Sequence, residues 1–484
     1  MSDSEPTPGP PSATLAAEAA RASLPQGPAG SVPAHGVRDI LRLTWPVVLS
    51  QLMAGGVSVI DMLMLGRLGT ETLAAVGYAT QFLFIVQACL IATGAACVAM
   101  MSRAIGADQP ERARAAFATA LTIGVTIATV MGGLGVAYPA ALMSLLAVPQ
   151  EVTDLAVPYF RLTLASSSLL AIALIHEHAF RAAKDTVRPM LLVAVVSSAK
   201  VALNLVLIFG AFGLPALELR GAGLATIGAQ TIGALLFITI GRRSSHGALR
   251  LGIADFRSVP SLLRETLRIM GPAVAERLVM TLAMLTFFRF LGAYGVAAVA
   301  AYNVGVRILS FTWIPGIGLS AAASTLVGQS LGAGDAEAAR TATTRCAKLG
   351  LGVSVVLGII FVSARMPLAR IFTSDPAVLS QLGPFILMLG LGLPFLVGHF
   401  TLSGALRGAG DTVTPLLAAT LGNWMFRVPM AFTFAIVLET DLFWIWTIMP
   451  FDHLARAIFL WVAFRRGTWS QRLGTGADAS AEAR

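Results

Sequence analysis

Between residue 40 and residue 464 the chain is a succession of twelve long apolar segments, near 40–65, 74–103, 114–138, 153–179, 188–210, 221–241, 266–291, 298–328, 341–364, 378–404, 413–437 and 441–464. Each is long enough to cross a hydrocarbon layer of roughly 30 Å, which takes about 20 residues of helix. Inside hydrocarbon every backbone N–H and C=O must be satisfied within the protein, so segments of this length have to be helices. Only 12% of the 484 residues are charged, against about 25% in a soluble domain. The fold class is therefore an all-α polytopic membrane protein with twelve transmembrane helices. Residues 1–36 are rich in Pro, Ala, Ser and Gly and lack an apolar core, so they read as a disordered tail rather than a signal peptide; residues 470–484 read as a second tail.

The basic residues orient the bundle. With the N-terminus in the cytoplasm, inside segments hold Arg103, Arg112, Arg188, Arg242, Arg243, Lys348, Arg465 and many others, while outside loops hold Arg67, Arg220, Arg365 and Arg370. This asymmetry predicts that both termini are cytoplasmic, in a cell (inner) membrane. It also explains the net charge of +9 without nucleic acid, for which no basic patch with interleaved aromatics exists. The cysteines Cys89, Cys97 and Cys346 have neither disulfide nor metal-ligand spacing and are expected to be packing residues.

Sliding the chain against itself by 226 residues brings Phe180-Arg-Ala-Ala-Lys-Asp-Thr186 onto Leu406-Arg-Gly-Ala-Gly-Asp-Thr412. The same shift pairs Pro46 with Pro272, Gly66 with Gly292, Gly106 with Gly332, Pro158 with Pro384 and Pro189 with Pro415. Each copy holds six segments, an even number, so both enter from the same side as a parallel repeat, the plan of an alternating-access carrier. The expected organisation is an N-lobe at 37–241, a cytoplasmic linker at 242–265 and a C-lobe at 266–469.

Several stretches then carry a family resemblance. Leu63-Met-Leu-Gly-Arg-Leu-Gly-Thr-Glu-Thr-Leu-Ala-Ala-Val-Gly77, Val327-Gly-Gln-Ser-Leu-Gly-Ala-Gly334, both Arg-x-x-x-Asp-Thr turns and Asn423-Trp-Met-Phe-Arg-Val-Pro429 resemble the multidrug and toxic compound extrusion family, from about residue 40 to Trp469. The resemblance implies two six-helix lobes that export organic, often cationic, compounds in exchange for protons or sodium ions. It implies a multidrug efflux antiporter, not an enzyme, with a coupling ion as its one cofactor-like partner and small organic molecules as substrates. We expect it to work as a monomer.

Asp61 lies about 7 Å below the outer end of the first segment, at 1.5 Å of rise per residue. A carboxylate there costs on the order of 2.5–3.5 kcal/mol on insertion scales, so it normally faces a bundle interior or a wet cavity. The 226-residue shift sets Phe287 opposite it, so the acid belongs to one copy only, which favours function over scaffold; the family also carries an acid at this motif position. On the fifth segment Asn204 matches a polar family position, but Lys200 stands where the family often has Asn. Asn204 is nearly level with Asp61 and Lys200 one turn deeper. These three residues form the predicted coupling site: an Asp61–Lys200 ion pair, broken by a proton or a cationic substrate. A resident ammonium competes with sodium, which makes the proton the expected coupling ion and Na⁺ the alternative.

In the second copy, Glu276, Arg289, Asn303, Arg307, Asn423, Arg427, Asp452 and Arg456 are expected to form a buried polar set, a cavity lining or a network, with Asp452 and Arg456 paired at i, i+4. Arg181 to Asp185 and Arg407 to Asp411 are expected to be structural cytoplasmic turns, with Asp185 and Asp411 as caps and charge clamps. His176-Glu-His178 reads as a surface cluster, because side chains two apart on a helix diverge and cannot share a metal. His399 and His453 read as packing or locally bonded residues. Gly332 and Gly334 lack a following Lys-Ser or Lys-Thr, so no phosphate loop is present. A lipid-linked glycan flippase of the wider superfamily is the alternative function. It would use Lys200, Arg289, Arg307 and Arg427 to hold phosphate, but twelve helices and the matched motifs disfavour it. An intramembrane enzyme lacks any usable catalytic constellation.

Overall fold

The computed structural model describes residues 36–144, 148–213, 215–257, 259–467 and 469; the expected tails at 1–35 and 470–484 lie outside them. All described regular structure is helical. The spanning elements are α1 (Val37–Gly66), α2 (Thr70–Gly106), α3 (Pro110–Ala137), the pair α5 (Gln150–Ala165) and α6 (Ser167–Ala182), α7 (Val187–Phe209) and α8 (Glu218–Arg242) in the first copy. The second copy holds α9 (Pro260–Leu291), α10 (Val296–Gly332), α11 (Ala336–Ser363), α13 (Pro376–Gly408), a rod beginning with α14 (Val413–Thr420) and continuing through α15 (Val428–Phe432) to Val437, and α16 (Leu442–Arg466). Two short helices were not expected, α4 (Pro139–Ser144) and α12 (Arg365–Phe372). They start 226 residues apart, so they belong to the repeat; at six and eight residues they are too short to leave an apolar-run signal.

Among the described residues nine helices are long and apolar enough to cross a membrane alone, and α5 with α6, bent by 42°, makes a tenth. The bend sits at Ser166, whose hydroxyl donates to the Thr163 carbonyl (2.7 Å), a side-chain bond of the kind that bends helices. The other two of the twelve segments are masked by their composition and geometry. Helix α9 begins at Pro260, six residues before the expected start, and carries Arg264, Glu265, Arg268, Glu276, Arg277 and Arg289. The 413–437 rod contains π-helical turns at Leu421–Arg427 and Thr433–Val437. Pro429 lacks an N–H and its ring crowds the preceding turn, and a widened turn relieves that clash.

The two copies meet along α1 and α2 on one side and α9 and α10 on the other, at the arginine-rich end. There Gln329 Nε2 donates to the Ala182 carbonyl (2.7 Å) and Thr325 Oγ1 to the Arg181 carbonyl (3.1 Å). Thr266 and Met270 of α9 touch Met100 and Thr93 of α2. The closest approach obeys the repeat: a Cβ on Gly106 would overlap the Gln329 carbonyl, and one on Gly332 the Arg103 carbonyl. Gly106 corresponds to Gly332 and Arg103 to Gln329, so a local two-fold axis passes through this contact. Towards the opposite end the same helix faces are exposed, with Ser58 and Met62 on α1 and Asn303 and Arg307 on α10. A cleft therefore opens between the copies at that end. We expect Gly332→Val to push the seal apart. Spin labels at the repeat-related positions Glu111 and Glu337, both exposed, should separate by about 2 Å or more, the range over which contact side chains move helix axes apart; an unchanged distance would refute the seal.

Candidate functional site

Asp61 is held from two sides by α7. Lys200 Nζ lies 3.1 Å from Asp61 Oδ2, and Asn204 Nδ2 donates to Oδ1 at 2.5 Å. The fourth member, Thr226 of α8, was missed from sequence: its hydroxyl lies 2.9 Å from Lys200 Nζ and donates onward to the Ala222 carbonyl (2.9 Å). A threonine in an apolar helix normally makes that carbonyl bond and carries no signal of its own. Its signal is positional, because the 226-residue shift sends Thr226 to Asp452. Helix periodicity explains the site, since Lys200 and Asn204 are one turn apart and share the face turned to α1. The Asp61 side chain is 25% exposed and Lys200 18%, so the pair is partly shielded yet reachable from water. Asn204 is buried, and its Oδ1 has no hydrogen-bond partner among the described residues. The amide thus offers a donor to a charged Asp61 and keeps an acceptor for a protonated one.

The second copy repeats this geometry with the carboxylate moved. Arg427, one residue off the Lys200 position, has its Cζ 6.0 Å from the centre of the Phe287 ring, and Phe287 stands where the first copy has Asp61. Arg427 Nη2 lies 2.5 Å from Asp452 Oδ2, and Arg456 reaches the same carboxylate through Nε (2.5 Å) and Nη2 (2.9 Å). Asp452 is fully buried, with Arg456 at 4% and Arg427 at 17% exposure. Gly422, in the π-turn, is the notch that admits this cluster, since a Cβ there would overlap Arg456 Nε and Asp452. Asn423 is buried and donates to the Ala419 carbonyl (2.9 Å). His399 and His453 stack beside the cluster, with centroids 5.1 Å apart and planes at 9°.

Three expectations need correction. Arg289, Asn303 and Arg307 are exposed rather than buried; Asn303 turns its amide to its own helix, onto the Val299 carbonyl at 3.0 Å. Arg289 shares its face with the exposed Leu278, Leu282 and Leu285, so it extends along the lipid side near the helix end. Glu276 does not join the Asp452 network: Arg407 Nη2 lies 2.7 and 2.8 Å from its two oxygens. The arginines of the two turns reach acids outside their turns. Arg407 takes Glu276, and Arg181 pairs with Glu177 on its own helix. The aspartates do cap, Asp185 accepting from Arg188 N (3.2 Å) and Asp411 from Thr414 N (3.0 Å) and its hydroxyl (2.6 Å). Finally, His176 and His178 are not a surface cluster. His176 is buried edge-on to Phe117 (4.9 Å), and His178 fills the notch left by Gly94. Among the described residues no group of three or more His, Cys, Asp or Glu side chains could hold a metal ion.

The MatE family profile matches residues 46–209 and again residues 272–433, starting points separated by the same 226-residue shift. The probable multidrug resistance protein NorM of Thermotoga maritima is 27% identical over 435 residues, which cover 90% of this chain and 93% of that protein. The FAD transporter of Shewanella oneidensis is 27% identical over 357 residues, 73% of this chain and 78% of that protein. The bent form of the Vibrio cholerae MATE transporter VcmN superposes with a TM-score of 0.81 at 23% identity, covering 89% of this chain and 96% of that one. With the duplicated match and the twelve-helix fold together, the chain belongs to the MatE family, the multidrug and toxic compound extrusion transporters, which are multi-pass membrane carriers and not enzymes.

Proposed function

We propose that this chain is a secondary active exporter of organic compounds driven by protons, with the lobes 37–241 and 266–469 rocking about the linker 242–265. Asp61 is the coupling residue and Lys200 and Asn204 its partners; Glu276, Asn303, Arg307, Asn423, Arg427 and Asp452 belong to the second lobe, and the Arg181–Asp185 and Arg407–Asp411 turns hold its geometry. Both termini lie in the cytoplasm, so the cleft of this structure opens outward. The observation that carries the reading is the shared carboxylate. With Lys200 on one oxygen and Asn204 on the other, a proton arriving from outside breaks an ion pair in the cavity wall, and that loss is the switch between states. An ammonium already seated at the carboxylate leaves no place for a sodium ion without displacing Lys200, which favours protons.

The test is reconstitution in vesicles. Ethidium, an organic cation, and carboxyfluorescein, an organic anion, are each followed under an imposed pH gradient or an imposed sodium gradient. Movement of either dye driven by the pH gradient alone is the expected result. In Lys200→Ala the pH-driven movement should be weakened, because no ion pair is left at Asp61 for an arriving proton to break. Transport driven by sodium alone would overturn the proton reading, and transport driven by neither would favour the lipid-linked glycan flippase. Relatives of equal identity are named for drugs and for FAD, so the cargo has to be read from this chain's own residues.

A further inference from the structure

Two arginines deep in the cleft have no partner among the described residues: Arg277 on α9 and Arg307 on α10, both exposed. Arg277 lies fourteen residues below the end of α9 at Leu291 and Arg307 eleven below the start of α10 at Val296, which puts them about 21 and 16 Å down, near mid-membrane. Their direction follows from helix periodicity. Arg277 is seven and eleven residues from Met270 and Thr266, which touch α2 of the other lobe. Arg307 is eleven, eighteen and twenty-five residues from Gly318, Thr325 and Gly332, all in contact with the first lobe. Residues at those spacings share a stripe, so both guanidinium groups stand on faces that form the inter-lobe seal lower down and line the open cleft above it. Neither faces lipid, where an unpaired arginine is costly.

The repeat sharpens the point. The 226-residue shift sends Arg277 to Gln51 and Arg307 to Gln81, so one wall of the cleft carries two amides and the other two cations. The nearby acids are already taken, Asp61 by Lys200 and Glu276 by Arg407. The charged groups that act on Arg277 are that same Glu276–Arg407 pair. The cleft thus holds uncompensated positive charge on two guanidinium groups, whose planar fork of donors matches the oxygens of oxyanions.

We propose that Arg277 and Arg307 form an oxyanion-binding site, so that the cargo carries a carboxylate, sulfonate or phosphate group. This deepens the exporter reading above and rests on it for the word cargo, but its test does not. Carboxyfluorescein is titrated by fluorescence anisotropy against purified protein at fixed pH, with no gradient. Wild type should bind saturably, and more weakly as salt rises. Arg277→Gln/Arg307→Gln should raise Kd by tenfold or more, while Arg277→Lys/Arg307→Lys, which keeps charge without the fork, falls between. Both side chains are exposed, so the variants should elute like wild type. Equal Kd in wild type and the Gln variant, or no saturable binding by wild type, would overturn the proposal. Competing the dye with inorganic phosphate and with short-chain phosphatidylglycerol separates a dissolved anion from a lipid headgroup, because a headgroup site takes the lipid at far lower concentration. Failure of transport under both gradients would overturn the exporter reading and leave this binding result standing.

Discussion

Asp61→Asn is expected to abolish uphill transport while leaving downhill exchange of substrate. One unit of pH gradient supplies about 1.4 kcal/mol per proton, enough for about tenfold accumulation at one-to-one exchange. An amide has nearly the shape of the carboxyl and cannot take the proton, so accumulation should fall from about tenfold per pH unit to none. The substrate path would remain, because the substitution removes no bulk from the cavity wall. Substrate binding should also lose its pH dependence, since coupling between two ligands is reciprocal and vanishes when one of them no longer binds. Lys200 would keep its contact with the Thr226 hydroxyl (2.9 Å) but lose its counter-charge. The double variant Asp61→Asn/Lys200→Met therefore controls for an orphaned cation. Accumulation by Asp61→Asn equal to wild type would remove Asp61 from the coupling role.

What was legible in the sequence is what depends on position along a helix. A rise of 1.5 Å per residue set Asp61 level with Asn204 and Lys200 within reach, and the side chains meet at 3.1 and 2.5 Å. The twelve segments were legible for the same reason, because span length is a property of the chain alone. Direction around a helix was much less so. A helix apolar on all sides carries no stripe to say which face looks inward, so the sequence does not tell a buried network from a cavity lining for Arg289, Asn303 and Arg307, and all three are exposed. Arg277, beside Glu276, carries no motif to mark it, although counting from Leu291 places it near mid-membrane. The π-turns at Leu421–Arg427 and the notch at Gly422 depend on how Asp452 and Arg456 are accommodated from a neighbouring helix, which no local pattern encodes. The repeat was the one sequence feature that carried information about faces. It mapped Asp61 to Phe287 and Thr226 to Asp452, and the structure sets Phe287 against Arg427 and Asp452 against the same arginine.

That mapping gives Asp452 a different expected phenotype. In the first lobe the carboxylate sits on α1 at the cleft and is 25% exposed; in the second it sits on α16 with no exposure at all, clamped by Arg427 and Arg456. A buried ion pair adds little net stability over an apolar replacement, but removing one partner strands the other at a cost of about 3–5 kcal/mol. Asp452→Asn strands two arginines, of which Arg456 is 4% exposed and has no second ion pair among the described residues. The variant should therefore lose about 3–5 kcal/mol of stability, seen as a large drop in the thermal midpoint of the detergent-purified protein or as failure to accumulate. Asp452→Leu combined with Arg456→Met removes the carboxylate together with its most deeply buried partner and should recover most of the loss, leaving Arg427 with the Phe287 ring and its partial exposure. Retained stability in Asp452→Asn would mean that water or a rearranged π-turn reaches the cluster. Loss of stability at Asp452 and loss of coupling without loss of stability at Asp61 would show that one scaffold position pair serves two ends, fixing a helix in one lobe and releasing a proton in the other.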